Sequence, residues 1–529
     1  MRRIHIHRHG HCKKAAPMAA QAGYILPAVL SLIIAVSFFA TALLMITINN
    51  FFVVGNNVRS QQAFNIAEAG VNYYLWHMAH NGTDYKDGQS TPTTPDATLG
   101  YGPYVHTYTD SEAVQTGTFT LWIKPQGNGS TIATVRSIGK VNGSNITRTV
   151  EAQIGAASFA SYGLVSNEEF WFGSNEAANG PVFSNVGIHM DGANSDTVGA
   201  ANATYVPDSA YGGNGSTSHS GVWCSTTVTS PVNCSTRDKS NWLYPKSSVD
   251  FNQVSNSLCL MKQTALGSTS SSVCSTTPTT RTASYVPQYS TSGSYSVNQG
   301  YLIQLNANNT YDLYKVSAET DTASTYSAAL TKTAVATGIA VPSSGVIFVE
   351  DNVWIRTASA FTSRVTIASG RLATNYSTNI TIADNVLYSA KDGSAAIGLV
   401  AENNVVIAPY APGTSGSLEV DAAMLAMNGY VSWQQYYEGT SNCTKGWTAS
   451  NQTFTSYGSI ASKLNWTWNF SRGSSCGSAV KDSTSGYYYS GIMRTTTSYD
   501  YNMLYSPPPS YPVTGTYNIL SWREVLTKP

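Results

Sequence analysis

Between Ala15 and Val58 the chain carries no charged residue, and from Tyr24 to Ile48 it is almost wholly apolar, running through Leu30, Leu32, Ile33, Ile34, Phe38, Phe39, Leu43, Leu44 and Met45. About 20 such residues cross the hydrocarbon of a bilayer as a helix, so this run dictates a membrane segment. Residues 1–23 place Arg2, Arg3, Arg8, Lys13 and Lys14 ahead of it with no acid. A basic stretch before the span and none close behind predict a cytoplasmic N-terminus and an exported bulk. A cleaved secretory signal is the alternative, but the run is too long, and Ile46 to Asn57 offers no small-x-small cleavage site. His5, His7, His9 and His11 alternate in the same basic tail, where no scaffold fixes them as metal ligands.

The pattern does not stop where a membrane would. Phe64, Ala67, Val71, Tyr74, Leu75 and Met78 recur at three and four, the stripe of an amphipathic helix. Read as one helix from Tyr24 to about His80, the segment rises about 85 Å, and Asn81-Gly82 supplies its stop. Half of it must therefore pack on something outside the bilayer.

A basic leader ending in Gly23, an aromatic residue at Tyr24, an unbroken apolar helix and the stretch Phe64-Asn65-Ile66-Ala67-Glu68-Ala69-Gly70 together resemble type IV pilins and type II secretion pseudopilins. The Ala-Glu-Ala-Gly run is similar to that of PilX-type minor pilins and large tip pseudopilins. The resemblance covers roughly the first 80 residues. It implies that a prepilin peptidase cuts between Gly23 and Tyr24, and that the helix holding Pro27, Ala28, Glu68 and Gly70 packs in a fibre core with other pilin or pseudopilin subunits. After such a cut Pro27 falls in the first turn, where its missing donor is not needed. Major pilins carry a Glu at the fifth mature position, and here that position is Ala28. The departure implies a minor subunit that initiates or caps a fibre.

Domain 100–156 reads as a small antiparallel sheet. Thr118 to Lys124, Thr131 to Val141 and Asn145 to Ile154 alternate apolar and polar residues and are bounded by Gln126-Gly127-Asn128-Gly129 and Asn142-Gly143, the hairpin signal. Residues 157–529 change character. Gly345 to Ile355, Asn379 to Tyr388, Ile397 to Ile407 and Ala422 to Val431 each read as strand, acid or Asn turn, strand, with Asn352, Asn385, Asn404 and Asn428 at spacings of 33, 19 and 24. Such repeats predict a right-handed parallel β-helix with stacked Asn side chains at the turns; an irregular β-sandwich is the alternative. The fold class is thus mainly β, with a pilin-like helix, a small sheet and a solenoid. Ser/Thr/Gly-rich insertions are expected over about 191–338 and 434–495, and the tail after Pro507-Pro508-Pro509-Ser510-Tyr511-Pro512 is expected to cap the solenoid through Leu520 and Trp522.

The 529 residues hold 29 basic and 29 acidic side chains. Zero net charge excludes a protein held to nucleic acid by general basicity. Removing the five basic residues of 1–23 leaves 24 against 29, a net −5 for the remainder. Cys12 lies in the leader, and Cys224, Cys234, Cys259, Cys274, Cys443 and Cys476 form an even set on the exported side, as in an oxidising compartment. Fifteen pairings are open, and nearest neighbours would close short loops. With no Cys-x-x-Cys and no His after His219, zinc is not expected.

No catalytic set or cofactor motif assembles: Gly413-Thr414-Ser415-Gly416-Ser417 lacks the nucleophile-elbow spacing, and no phosphate loop occurs. The enzymatic alternative is a glycan-active β-helix using Glu350, Asp351, Asp384 and Glu402, against which turn acids that accept backbone N–H bonds are the plainer reading. Tyr487, Tyr488, Tyr489, Tyr499, Tyr501, Tyr505, Trp433, Trp447, Trp466 and Trp468 are core rings or a face for a surface glycan or host-cell ligand. An uncleaved single-pass adhesin is the other alternative to the pilin reading.

Overall fold

The computed structural model describes residues 25–80, 84–125, 132–173, 176–225, 234, 237–252, 254–290, 295–320, 323–374, 376–413, 416–434, 453–465, 468–472, 480–481, 486, 488–492, 494–515 and 517–525. Gly23, Tyr24, Cys12, Cys443, Cys476, Trp447, Trp466, Tyr487 and the turn at 126–129 lie outside them.

The helix Ile25–His80 is continuous, with no break where the apolar run ends at Arg59. Its second half buries Ala63, Ile66, Ala67, Gly70, Val71, Tyr74 and Met78, one stripe at helical spacing. The stripe packs on an antiparallel sheet of Tyr101–Thr109, Gln115–Pro125, Ile132–Val141 and Thr147–Gly155, each strand paired with the next. Phe119, Leu121, Ile123, Val135, Val150 and Ile154 face the helix side as a separate small core. Their period of two is what the alternation demanded.

A fifth strand corrects the expectation for the tail. Asn518–Val525 does not cap the solenoid. It pairs antiparallel with Thr147–Gly155 and closes that edge of the head sheet. Trp522 is largely exposed and meets Phe64 of the helix edge-on at 5.9 Å. An open sheet edge offers unpaired N–H and C=O groups, and the returning strand satisfies them. The proline segment does lie on the solenoid: Pro507, Pro508, Pro509 and Tyr511 are buried or nearly so, and Thr366 and Arg364 donate to their carbonyls.

Beyond Gly155 the chain winds into large parallel sheets. Val346–Val349, Arg364–Ser369, Ala396–Ala401, Ser417–Ala426 and Thr453–Ser462 stack in one. Asn352–Thr357, Ile380–Ile382, Val405–Ile407 and Val431–Trp433 stack in another. Their inward residues are Val, Ile, Leu and Ala, continuous with a single core. Strands buried on both faces give unbroken apolar runs, which is why Val346–Val349 and Ala396–Ala401 do not alternate.

The region from 191 to 338 is more than decoration. Val198–Ala200, Trp242–Leu243 and Tyr285–Val286 are rungs of the first sheet, and Gly300–Asn306 is a rung of the second that opens a hairpin with Thr310–Glu319. The order of rungs also departs from the order of the chain. Leu164–Ser166 pairs with Val182–Ser184 on one side and with residues 460–462 on the other. The solenoid therefore begins in its middle, and its last long strand stacks against its first.

Candidate functional site

Two sets of residues are the candidates: the long helix on its seat, and the solenoid turns where the repeat acids lie.

From Ile25 to Val58 every residue of the helix is exposed except half-buried Gly55, a length of about 51 Å against the ~30 Å of a bilayer's hydrocarbon. It is the helix among the described residues long and apolar enough to cross a membrane. Its four hydroxyl side chains need no outside partner. Ser31 donates to the Ala28 carbonyl at 2.9 Å, Ser37 to Ile33 at 2.8 Å, Thr41 to Ser37 at 2.9 Å and Thr47 to Leu43 at 2.8 Å. In lipid, where no water can satisfy a hydroxyl, such back-bonding removes the cost of burial. Pro27 stands in the first turn and Ala28 is exposed, with no acid in that turn.

The seat is made close by glycine on both sides. A Cβ on Gly70 would lie 2.2 Å from Ser137 Oγ and 2.9 Å from the Phe119 ring; one on Gly139 would lie 2.0 Å from the Ala63 carbonyl oxygen. Gly70 is thus a packing residue against its own sheet. Glu68 is half-buried, without a hydrogen bond or ion pair among the described residues. Beside the seat, Arg148 donates to Ser60 Oγ at 2.6 Å, pairs with Glu524 of the returning strand and lies over the Phe64 ring. Arg148 holds the Glu524 carboxyl below the usual carboxylate range by that hydrogen bond.

At the helix C-terminus the loop 84–89 is tied down by two His–Asp contacts. His77 Nε2 lies 3.0 Å from Asp84 Oδ2, and His106 Nε2 lies 2.6 Å from Asp87 Oδ2. Tyr73 donates to Asp87 at 3.1 Å and Tyr74 to the Asp84 carbonyl at 2.8 Å. Burial alone would raise the Asp84 carboxyl, but the Lys86 and Gly88 amides and His77 together hold it below its ordinary value. Sequence reading passed over this cluster, since its members are too far apart in the chain to form a motif.

At the solenoid turns the four repeat acids are already occupied. Glu350 is fully buried and paired with Lys262, itself fully buried on the helix Val254–Leu266; desolvation pushes the Lys262 ammonium down to about 8. Asp351 accepts from the Tyr289 and Asn352 amides at 2.8 and 2.9 Å, and burial raises its carboxyl. Asp384 accepts from the Asn385 amide and pairs with Arg356 at 3.4 Å. Glu402 accepts from the Arg371 amide at 2.8 Å, and burial raises it too.

The asparagine ladder is real, but of the residues the repeat suggested only Asn352 and Asn404 belong to it, with Asn379 between them. Asn352 Oδ1 accepts from the Asn379 amide, Asn379 Oδ1 from the Asn404 amide, and Asn404 Oδ1 from the Tyr430 amide, each at 3.0 Å and at chain separations of 27, 25 and 26. Asn385 and Asn428 stand off this line: Asn385 accepts from the Glu419 amide and Asn428 donates to the Glu402 carbonyl.

The structure joins Cys224 to Cys234 and Cys259 to Cys274. Of the C-terminal rings, Trp433 and Tyr499 are buried, Trp468 is packed on Phe454, and Tyr501 and Tyr505 are about half exposed.

No model of a known protein family matches the chain, and no curated protein matches it. Among solved structures, the crystal structure of the competence-associated pilin ComZ from Thermus thermophilus is similar to it over 89% of this chain and 98% of that one, at 12% sequence identity and a TM-score of 0.27.

Proposed function

We propose that the chain is a minor subunit of a type IV pilus or related secretion filament, set at a fibre end, which anchors by its helix and holds the solenoid at the cell surface. The observation that carries this is the division of one unbroken helix into an exposed apolar half and a half seated through Gly70 and Gly139 on a small antiparallel sheet. An exposed apolar rod longer than a bilayer needs has about 20 Å left over. Helices of neighbouring subunits are the partners that would cover that remainder, from about Met45 to Val58. Ala28 at the proposed fifth mature position removes the carboxylate that would pair with a neighbour's N-terminal amine, which suits a subunit used once per fibre. The work is structural: the repeat acids hold turns, and the solenoid presents a surface for adhesion.

Sequencing the N-terminus of the protein taken from the cell envelope tests the reading. A start at Tyr24, lost on deletion of the prepilin peptidase, is expected. An intact Met1 in the mature protein, or a start beyond Ile48, removes it.

A further inference from the structure

Away from the helix and the repeat acids, the first solenoid coils enclose a cluster that neither role uses. Phe170–Phe172, Ile188–Met190 and Val222–Trp223 are adjacent parallel strands, with Trp171 and Trp223 in register on either side of His189. The rings stack: Trp171 on His189 at 5.5 Å, His189 on Trp223 at 3.7 Å, and Trp223 on His219 at 3.7 Å. The His189 imidazole is held edge-fixed between two indoles and is nearly inaccessible.

Its two nitrogens meet different partners. Nδ1 lies 2.9 Å from the Tyr211 carbonyl oxygen, an acceptor only, so Nδ1 carries the proton. Nε2 faces Asp191 Oδ2 at 3.0 Å and has no hydrogen-bond donor opposite it. Asp191 is as buried as His189, and its Oδ1 accepts from the Ser225 amide at 2.8 Å. Asp191 Oδ2 also accepts from the Trp171 indole N–H at 3.4 Å, and a proton shared between Oδ2 and Nε2 joins the two buried groups. A histidine whose far nitrogen donates to a backbone carbonyl is fixed in orientation, and its near nitrogen then holds the neighbouring carboxylate in place, as an outer-shell partner does for a metal ligand. Within 4.8 Å of one another stand the Asp191 carboxylate and the sulfurs of Cys224 and Cys234.

We propose that Asp191, Cys224 and Cys234 form a redox-gated site for a zinc-like divalent cation, with His189 as the residue that positions Asp191. With the disulfide closed, the two sulfurs are not ligands and the cluster is a covalent clasp. Reduction by an external dithiol breaks the S–S bond: the two sulfurs take up two electrons and two protons, and the dithiol becomes a disulfide. On metal binding the two thiols lose those protons to water, and two thiolates and one carboxylate oxygen, with a water in the fourth position, would make a tetrahedral set of a kind zinc takes. Either state ties Trp223 and its stack to the same point of the coil, so the site exchanges one cross-link for another when the redox setting changes. The inference rests on the solenoid alone and stands whether or not the chain enters a filament.

The test uses the full chain in detergent, reduced with a phosphine and offered Zn²⁺ or Co²⁺. Zn²⁺ is expected to protect Cys224 and Cys234 from alkylation, mapped by peptide mass spectrometry, while Cys259 and Cys274 react as they do without metal. Co²⁺ is expected to give a thiolate-to-metal absorption band that is lost in Cys224→Ser/Cys234→Ser, and to bind about 10- to 100-fold more weakly in His189→Gln. The oxidised chain should show neither effect. Equal alkylation of Cys224 and Cys234 with and without Zn²⁺ overturns the proposal, as does a cobalt band that survives the double substitution. Should the double variant fail to fold, the alkylation map of the unsubstituted chain decides alone.

Discussion

Replacing Asn352 by Ala is the sharpest probe of what holds the coils in register. The side chain is 2% exposed and makes four hydrogen bonds. Its Oδ1 accepts from the Asn379 amide and from Tyr295, both at 3.0 Å, and its Nδ2 donates to the Ser296 and Gln299 carbonyls at 3.1 and 3.0 Å. Each net bond is worth about 1 kcal/mol, and a buried donor left without an acceptor costs about 1–3 kcal/mol. The Asn379 amide is such a donor, because it sits at the turn and has no strand partner to fall back on. Counting the orphaned amide at about 1–3 kcal/mol and the other three bonds at about 1 kcal/mol each gives roughly 4–6 kcal/mol. Asn428 supplies the matched control: it occupies the same strand–Asn–strand pattern in sequence, yet is exposed, donating to the Glu402 carbonyl at 2.9 Å and accepting from the Lys463 ammonium at 3.4 Å. Asn428→Ala should stay within about 0.5 kcal/mol of the parent. Urea unfolding of the full chain in detergent, followed by tryptophan fluorescence, reads both. If Asn352→Ala costs no more than Asn428→Ala, the ladder is not what sets the register, and the reasoning fails.

Three further outcomes follow from single sites. Gly139→Ala would drive a Cβ to 2.0 Å from the Ala63 carbonyl, backbone that cannot swing aside, so a loss of about 3 kcal/mol and early trypsin cleavage of the head are expected; Gly55→Ala, with nothing within 4 Å, should leave trypsin resistance intact. Desolvation raises the Asp421 carboxyl to about 6 despite Lys391 beside it, and an acid held protonated by the fold favours the native state below its unfolded pKa and loses that advantage as pH rises through the folded value. Stability should therefore fall between about pH 4 and 6 by roughly 3 kcal/mol, and Asp421→Asn should flatten that limb of a pH–stability curve; an unchanged slope refutes the assignment. Lys262→Met strands Glu350 in a fully buried site and should cost about 3–5 kcal/mol, whereas Lys262→Met/Glu350→Leu should recover most of it; equal losses in the two variants would show that packing, not charge, decides there.

The sequence made some elements plain because one residue period governs each of them. The helix to His80 follows from spacing by three and four, and the hairpins from alternation stopped by Asn-Gly. The ladder was seen but misassigned in part, for a physical reason. Strand–Asn–strand occurs at more than one corner of a coil, and only the reach of a side chain to the next coil's amide distinguishes Asn352, Asn379 and Asn404 from Asn385 and Asn428. The His189 cluster was invisible because its ligand-type residues come from separate coils, with a disulfide occupying the pair of cysteines that a zinc motif would have advertised.

The returning strand has the deepest cause. Runs of two or three residues such as Leu164–Ser166 and Val182–Ser184 are too short to show a period, and nothing local says that the first of them stacks on residues 460–462. Once it does, the geometry of the ends is forced. Ser459 donates to the Tyr162 carbonyl at 2.6 Å, Phe159 donates to the Pro512 carbonyl at 3.0 Å and Thr514 to the Ala157 carbonyl at 2.7 Å. The chain thus leaves the solenoid alongside the point where it entered, a few residues from the open edge of Thr147–Gly155. A strand arriving there with Ile519 and Trp522 finds unpaired backbone groups within reach, and pairing with them costs little loop entropy because the solenoid has already brought the ends together. Head-sheet completion therefore depends on solenoid closure and not the reverse: a chain cut before Asn518 should keep its coils and lose protection along Thr147–Gly155 in hydrogen exchange, while a chain whose coils cannot close should lose both.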